Sequence, residues 1–525
     1  TTAMIRLLCL TALVAVGLAI PAPVCKLSDW SEWSECTQPK LCTQPESADS
    51  FPMDEAVWDT GRIKMAKLMQ MHNENAQKRQ ECIAAGECPE LFLPDSEGYS
   101  QCVDGMAGNW PCRDIDLLAF LNFEDLCANI PGVRGNDMWG WIDDVTGDEY
   151  AIVGTTGGST MVRVTDPRNP EVLGHLQGRG APSSWRDMKV HADHAFIVSE
   201  SSGHGMQVFD LRQLRGMSAG CNDLQETAHY SGVGNTHNIA VNNDNGFVYL
   251  VGSTQTAGYP NVCSGGLHVV DVNDPANPQY TSCFGADGYI HDVECLVYNG
   301  PDTRYTGHEI CFGYNENSLT LMDLTDHSNP LFISKMGYTS SRYTHQGWMT
   351  EDHTVLLLDD ELDEMYTQNK NTATYLWDMT DLRNPVLKNT YYSSETSIDH
   401  NQYINGDLTF QSNYEAGLRI LEIDQANFDL VEMAYFDMLP DSTTVNFAGT
   451  WSNYPWYTNG MVGATSIDFG FFLLQPDYAA INGKIAARRT AHAEQTRTRK
   501  IESSLPGVKC EPRVEVRECD PTTAC

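Results

Sequence analysis

The fold is decided by a short segment that recurs along the chain as Thr236-His237-Asn238, Ile290-His291-Asp292, Thr344-His345-Gln346 and Asp399-His400-Asn401. The central histidines are 54, 54 and 55 residues apart (291 − 237, 345 − 291 and 400 − 345). A second marker is an Asn-Pro pair that ends an apolar-x-Asp-x-x segment, and its asparagines are Asn169, Asn277, Asn329 and Asn384. A fixed period of this length indicates a repeat architecture.

The repeat that begins at His291 predicts four short strands. They are His291–Tyr298, His308–Gly313, Ser318–Leu324 and Leu331–Met336, separated by turn residues. Four strands in about 50 residues describe one blade of a β-propeller. Because proline cannot donate to a strand ladder, we expect each Asn-Pro turn to lie between the third and the outermost strand.

Seven such units can be counted. They begin near Trp139, Trp185, His237, His291, His345, His400 and Asn453. The last unit lacks an outer strand, while 114–121 is an apolar segment without a partner upstream. We therefore predict that this segment closes the ring, which would remove both free sheet edges.

Composition points to an extracellular protein. The chain has 525 residues, a net charge of −37 and 17 cysteines. Residues 4–22 resemble a secretory signal peptide, with cleavage after Ala19 or Ala22, and a membrane anchor is the alternative. Removing Cys9 leaves an even number of cysteines, which suits disulfides in an oxidising compartment. The acidity argues against nucleic acid as a partner.

The two ends of the chain share a further pattern. Trp30, Trp33 and Cys36 form the W-x-x-W-x-x-C opening that resembles a thrombospondin type 1 repeat. Near the other end, Arg497 and Arg499 resemble the arginine strand of that family. We predict one such module split between 23–45 and 479–525, with guanidinium groups stacked between indoles; the alternative is two unrelated segments.

The resemblance to a thrombospondin repeat also implies modifications and cross-links. It implies C-mannosylation of Trp30 and Trp33. It further implies disulfides that join the two ends, drawn from Cys25, Cys36, Cys510, Cys519 and Cys525.

Residues 102–478 resemble the choice-of-anchor B family, which is built on LVIVD-type repeats. The matching segments are 102–118, 139–141, 185–190, 204–210, 263–268, 344–348 and 358–364. The resemblance implies an extracellular, surface-associated propeller with no established reaction. Residues 46–101 are predicted to be a helical connector, stapled through Cys82, Cys88, Cys102 and Cys112.

The four histidines are the sharpest candidate site. Residues in one register of successive blades form part of a ring around the propeller axis, so His237, His291, His345 and His400 could converge on a transition metal such as iron, copper, zinc or manganese. Asp187 and Asp292 are candidate supporting residues. The alternative is that each histidine hydrogen-bonds a neighbouring blade and only closes the ring.

A second candidate is the acidic run Asp359-Asp360-Glu361-Leu362-Asp363-Glu364, since carboxylate oxygens suit calcium. The alternative for this run is a solvated acidic loop. Cys295 and Cys311 fall on adjacent predicted strands and could be bridged.

Two functions follow from this sequence. The first is a secreted interaction or adhesion protein, whose propeller face and thrombospondin-like module bind proteins or glycans in matrix or cell-surface assemblies. The second is a metal-dependent extracellular hydrolase or oxidoreductase that uses the histidine ring. The sequence leaves the choice between them open.

Overall fold

The computed structural model describes residues 25–27, 70, 71, 74, 96–253, 263–339, 341–440, 442–490, 495–499, 501–504 and 513–517. The chain divides into two compact units. The larger unit is Pro52–Ile481, and the smaller one combines Thr1–Phe51 with Asn482–Cys525.

The larger unit is a seven-bladed β-propeller, as the repeat predicts. Within the described residues, seven sheets each contain four antiparallel strands, labelled a to d from the axis outward. Strand a of blades 1 to 7 is Gly135–Ile142, Arg186–His191, Asn238–Asn242, Asp292–Val297, Thr344–Met349, Asn401–Asn405 and Thr450–Tyr454. Strand b is Glu149–Thr155, His194–Ser199, Phe247–Val251, Glu309–Tyr314, Val355–Asp360, Leu408–Ser412 and Val462–Ser466. Strand c is Gly158–Arg163, Met206–Asp210, Leu267–Asp271, Leu319–Asp323, Asn371–Asp378, Leu418–Asp424 and Gly470–Pro476. Strand d is Glu171–Gln177, Ala228–Tyr230, Gln279–Phe284, Leu331–Met336, Val386–Thr396, Asp429–Phe436 and, in blade 7, Ile115–Asn122.

Other described elements are short. Asn222–Leu224 lies parallel to strand d of blade 1, while Trp110–Arg113 extends blade 6 and is followed outward by Met106–Ala107. The helices are the 3-10 turns Leu211–Leu214 and Cys263–Gly265, and the α-helices Asp363–Tyr366 and Tyr478–Thr490. No helix among the described residues is long and apolar enough to cross a membrane.

The ring closes as predicted. Ile115–Asn122 pairs antiparallel with strand c of blade 7, and Phe120 lies opposite Phe472. Strand a of blade 7 also contacts strand a of blade 1. The N-terminal strand thus supplies the outer edge that the last repeat lacks.

The apolar core lies between neighbouring blades. Phe312 and Leu321 of blade 4 form one buried cluster with Leu356, Leu358 and Trp377 of blade 5. Each side chain of this size contributes roughly 1.5–3 kcal/mol when it is fully buried. Because each sheet is covered on both faces, the b strands are almost wholly buried.

The Asn-Pro turns lie between strands c and d, as predicted. In blade 1, the backbone N–H of Arg168 donates to Asp166 Oδ1 over 3.2 Å, and Asn169 Nδ2 donates to Asp166 Oδ2 over 2.9 Å. The aspartate thus stabilises the turn that the proline terminates.

Four disulfides join described cysteines. Cys295–Cys311 is the bridge that the sequence suggested, and Cys102–Cys112 joins two of the four cysteines for which no pairing was predicted; the other two bonds are Cys127–Cys221 and Cys263–Cys283. Cys82 and Cys88 lie outside the described residues, as do Cys36, Cys510, Cys519 and Cys525.

In the smaller unit, Cys25–Leu27 pairs antiparallel with Ile501–Ser504. Gln495–Arg499, which includes Arg497 and Arg499, pairs with Arg513–Arg517. Residues 4–22 and Trp30 and Trp33 lie outside the described residues, so the split thrombospondin module remains a prediction. In the predicted helical connector, Gln70, Met71 and Glu74 are helical.

Candidate metal centre in the propeller channel

The four repeated histidines lie side by side at the propeller axis. Each stands at or just before the start of strand a of its blade, so the common register places them in one layer. The ring centroids of His237 and His291 are 4.2 Å apart, those of His291 and His345 are 4.6 Å apart, and those of His345 and His400 are 4.5 Å apart. All four side chains are buried. The channel thus brings four imidazoles into mutual contact.

Each imidazole is held through Nδ1. The Nδ1 partners of His237, His291, His345 and His400 are Glu200 Oε1 at 3.1 Å, Tyr343 OH at 2.9 Å, Asp359 Oδ1 at 3.2 Å and the Trp451 carbonyl at 2.7 Å. A carbonyl or carboxylate oxygen only accepts, so Nδ1 is the donor in three of these pairs and Nε2 keeps its lone pair. Metal-binding histidines in proteins show this arrangement, in which an acceptor orients the ring through its distal nitrogen.

A carboxylate joins the ring of histidines. Glu361 Oε1 lies 3.8 Å from His400 Nε2, and Glu361 Oε2 lies 3.9 Å from His345 Nε2. These distances exceed those of hydrogen bonds. They fit two ligands of one ion, since metal–nitrogen and metal–oxygen bonds are about 2.0–2.2 Å long. Tyr414 OH donates to Glu361 Oε1 over 2.6 Å and fixes the carboxylate.

Two buried atoms in this layer have no partner within the described chain. They are His291 Nε2 and Glu361 Oε2. A buried polar atom that forms no hydrogen bond costs about 1–3 kcal/mol. A bound cation would satisfy both atoms, because it would accept the lone pair of His291 Nε2 and attract the negative charge on Glu361 Oε2.

The environment keeps the imidazoles of His291 and His400 neutral. Burial lowers the pKa of His400 to about 3. Burial, assisted by the neighbouring His237, His345 and His400, holds the pKa of His291 well below its usual range. Burial raises the pKa of Glu361 to about 8. His291 and His400 are therefore in the form that binds metals at neutral pH.

The free space is small and enclosed. It is lined by residues that include Trp185, Arg186 and Trp451, and has room for about one water molecule or ion. Where the a strands begin, Trp185 and Trp451 belong to a buried cluster with Tyr343, Tyr414 and Phe447, against which Met71 packs. Three residues beyond His345 and His400, Trp348 and Tyr403 form an aromatic cluster with Trp139 and Trp456.

The predicted supporting residues form other contacts. Asp187 pairs with Lys189 Nζ at 2.6 Å, and its second oxygen accepts the Ile239 N–H at 2.8 Å. Asp292 accepts the Val293 N–H at 2.7 Å. These contacts of both aspartates therefore lie one position along the strands from the imidazoles. The imidazoles have other partners, namely Glu200, Tyr343, Asp359 and Trp451. Of these partners, the sequence indicated only Asp359, through the acidic run; Tyr343 stands two residues before His345 as Tyr289 does before His291, a repeat that could have indicated it.

The acidic run is buried, which corrects the expectation of a solvated loop. Asp359 and Asp360 end strand b of blade 5, and with Glu361 they are at most 2% exposed. Asp359 is the hydrogen-bond partner of His345 Nδ1, and Glu361 lies beside Nε2 of His345 and His400. Asp360 accepts the N–H groups of Arg342 and Tyr343 at 2.7 and 2.6 Å. The run therefore belongs to the channel wall.

Similarity to known proteins is distant. No family model and no curated protein matches the chain. The β-propeller domain of Myceliophteria thermophila Cps50 (Swd1) is 11% identical, with a TM-score of 0.41, and the match covers 66% of this chain and 99% of that one. The WD40 β-propeller domain of Doa1 is 12% identical, with a TM-score of 0.42, and the match covers 67% of this chain and 99% of that one.

Proposed function

We propose that this propeller is a metalloprotein whose channel holds one first-row transition ion. The observation that carries the proposal is the position of Glu361 within 3.8–3.9 Å of Nε2 of two histidines whose Nδ1 atoms face acceptors. His345, His400 and Glu361 form the first ligand set, since one ligand atom of each lies within 4.8 Å of the others. His291 and His237 are adjacent and complete the nitrogen-rich site.

The ligand chemistry selects the ion. Imidazole nitrogens with one carboxylate suit iron, zinc, copper or manganese better than calcium. The small volume of the channel cavity limits the size of any reactant, because it admits a water- or dioxygen-sized molecule and excludes a polymer. The ion would therefore stabilise the ring or act on a very small reactant, and a redox role suits the site better than hydrolysis of a large substrate.

Metal analysis of the purified full-length protein tests this proposal. We expect about one equivalent of a transition metal in the wild type and its loss in His291→Gln and His345→Gln. The matched control is His268→Gln. His268 lies on strand c of blade 3, is also buried and contacts Tyr230 OH at 2.7 Å instead of the channel histidines. Circular dichroism and thermal unfolding would show that the variants fold. A folded wild type that takes up none of these metals, or folded channel variants that keep them, would overturn the proposal.

A second candidate is a secreted interaction or adhesion protein, related to choice-of-anchor B proteins and carrying a thrombospondin-like module. Exposed apolar side chains on the outer strands of adjacent blades favour it. Tyr280, Leu331, Phe332 and Val386 are 52–56% exposed and lie in the first two residues of strand d in blades 3 to 5. The four disulfides suit an extracellular site of action.

Expression with residues 1–22 retained tests the second candidate. We expect the protein in the medium of secreting cells and its binding to matrix or cell-surface proteins or glycans. Leu331→Asp combined with Phe332→Asp should weaken binding to the captured partner, while Val145→Asp, at a residue that is 75% exposed, is the control. Retention inside the cell, or equal binding by all three proteins, would argue against this function.

A further inference from the structure

A second buried cluster lies beside the histidine layer and contains only carboxylates. Asp363 and Glu364 begin the short helix Asp363–Tyr366 between strands b and c of blade 5. Asp399 precedes strand a of blade 6. One side-chain oxygen of each residue lies within 4.8 Å of the others, and the three residues are 4%, 1% and 2% exposed.

Few hydrogen-bond donors face these six oxygens. Tyr375 OH donates to Asp363 Oδ2 over 2.5 Å. The Ala373 N–H is shared between Asp399 Oδ2 at 2.9 Å and Glu364 Oε1 at 3.2 Å, and the Asp360 N–H donates to Asp399 Oδ1 over 3.1 Å. Asp363 Oδ1 and Glu364 Oε2 are buried and face no N–H or hydroxyl donor among the described residues; hydrogen bonds between Glu364 and Asp363 or Asp399 require a proton on one of these carboxyl groups. Asp363 and Glu364 are thus each held through one carboxylate oxygen, while the other oxygen faces no donor.

The charge of the cluster is not balanced by protein cations. Among the ion pairs of described residues, none joins a lysine or arginine to Asp363, Glu364 or Asp399. Lys370 Nζ, which lies nearby, donates to the backbone carbonyl of Glu364 over 2.6 Å. Buried carboxylates without a cationic partner need either protons or a metal ion.

We propose that Asp363, Glu364 and Asp399 bind one divalent cation of the calcium class. Carboxylate oxygens are the ligands that calcium prefers, and the absence of an imidazole from this set separates it from the transition-metal site. The cation joins the b–c connection of blade 5 to the start of strand a in blade 6. Its role is therefore to hold two neighbouring blades together at the channel.

The proposed ligands include Asp363 and Glu364, the last two acidic residues of the run that the sequence suggested, and exclude the first three. Asp360 accepts three hydrogen bonds, from the N–H groups of Arg342 and Tyr343 and from Tyr338 OH at 2.8 Å. Asp359 and Glu361 face the histidines. The oxygens that face no donor lie two to five residues further along the chain, on Asp363 and Glu364.

Thermal unfolding of the full chain, dialysed against a chelator and then titrated with calcium chloride, tests the proposal. We expect the unfolding temperature of the wild type to rise by a few degrees with calcium, because a ligand that binds only the folded state stabilises it. The rise should be lost in Asp363→Asn and in Glu364→Gln, which keep the shape of each side chain. Asp144→Asn removes an exposed carboxylate and should keep it.

A second measurement covers variants that fold poorly. Equilibrium dialysis of the wild type with calcium should give one tight site, and His345→Gln should retain it, since that substitution touches only the transition-metal site. Failure of the channel proposal is thereby distinguished from failure of this one. Absence of bound calcium in the wild type, or an equal calcium response of wild type and folded Asp363→Asn, would show that the cluster holds protons and would overturn the proposal.

Discussion

Asp399 and His400 are consecutive in the chain, yet their side chains enter two different buried polar clusters. His400 Nδ1 donates to the Trp451 carbonyl over 2.7 Å in the histidine layer. Asp399 accepts the N–H groups of Asp360 and Ala373 in the carboxylate cluster. Alternation along an extended backbone sends neighbouring side chains to opposite sides, so one peptide unit connects the two candidate ion sites.

Glu361→Gln should weaken metal binding in the channel. The amide keeps the size of the side chain and can still accept the Tyr414 O–H, but it has no proton to release and so cannot offer a bound cation the negative charge of a carboxylate beside His345 and His400. Substitutions of residues that support or complete metal sites typically lower affinity by about 10–100-fold. Competition with a chelator of known affinity would measure the change. Unchanged affinity in a folded Glu361→Gln protein would remove Glu361 from the site.

Acid should destabilise the metal-free protein partly through His400. Its pKa is about 3 in the folded protein and near 6.5 in an unfolded chain, so below about pH 6.5 the unfolded state takes up a proton that the fold excludes. The stability that neutral His400 contributes is complete above pH 6.5 and declines as the pH falls toward 3. By about pH 4.5 the loss approaches roughly 2–3 kcal/mol.

Comparison with His400→Gln isolates this effect from the buried carboxylates, whose raised pKa values act in the opposite direction. We expect the difference in unfolding free energy between wild type and variant to shift in favour of the variant as the pH decreases from about 7 to 4.5. Denaturant unfolding at several pH values, in the presence of a chelator, would measure it. A difference that is constant with pH would contradict the buried neutral state of His400.

Sequence periodicity could predict the propeller because its markers act locally. The Asn-Pro turns recur in blades 1, 3, 4 and 5, and the histidines recur in blades 3 to 6. Each turn marks where strand c ends, and each histidine marks where strand a begins. Glu200, which holds His237, lies outside the repeated segments and therefore gives no signal. The burial of Asp363 and Glu364 was also hidden, because a polar run appears solvated unless its tertiary partners are known.

Phe120→Ala tests the closing strand of blade 7. Phe120 is fully buried, with its ring centroid 4.5 Å from that of Phe472 and 5.6 Å from that of Trp110. Replacing a buried phenylalanine by alanine typically costs about 3–5 kcal/mol. We expect a loss of this size in denaturant unfolding, whereas Val145→Ala, at an exposed residue, should change stability by less than about 0.5 kcal/mol. A loss as small as that of the control would show that the strand is dispensable for closing the ring.

Disulfide mapping tests whether the two ends of the chain form one module. Cys25–Leu27 pairs with Ile501–Ser504, so a strand from each end shares one small sheet. So small a module has little apolar core and depends on cross-links for its stability. We therefore expect non-reducing proteolysis and mass spectrometry to find Cys25 or Cys36 bonded to Cys510, Cys519 or Cys525. The peptides of Cys102–Cys112 and Cys295–Cys311 are internal controls, since both bonds lie within the propeller unit. If Cys25 and Cys36 pair only with cysteines before residue 100, each end folds separately and the split module is wrong.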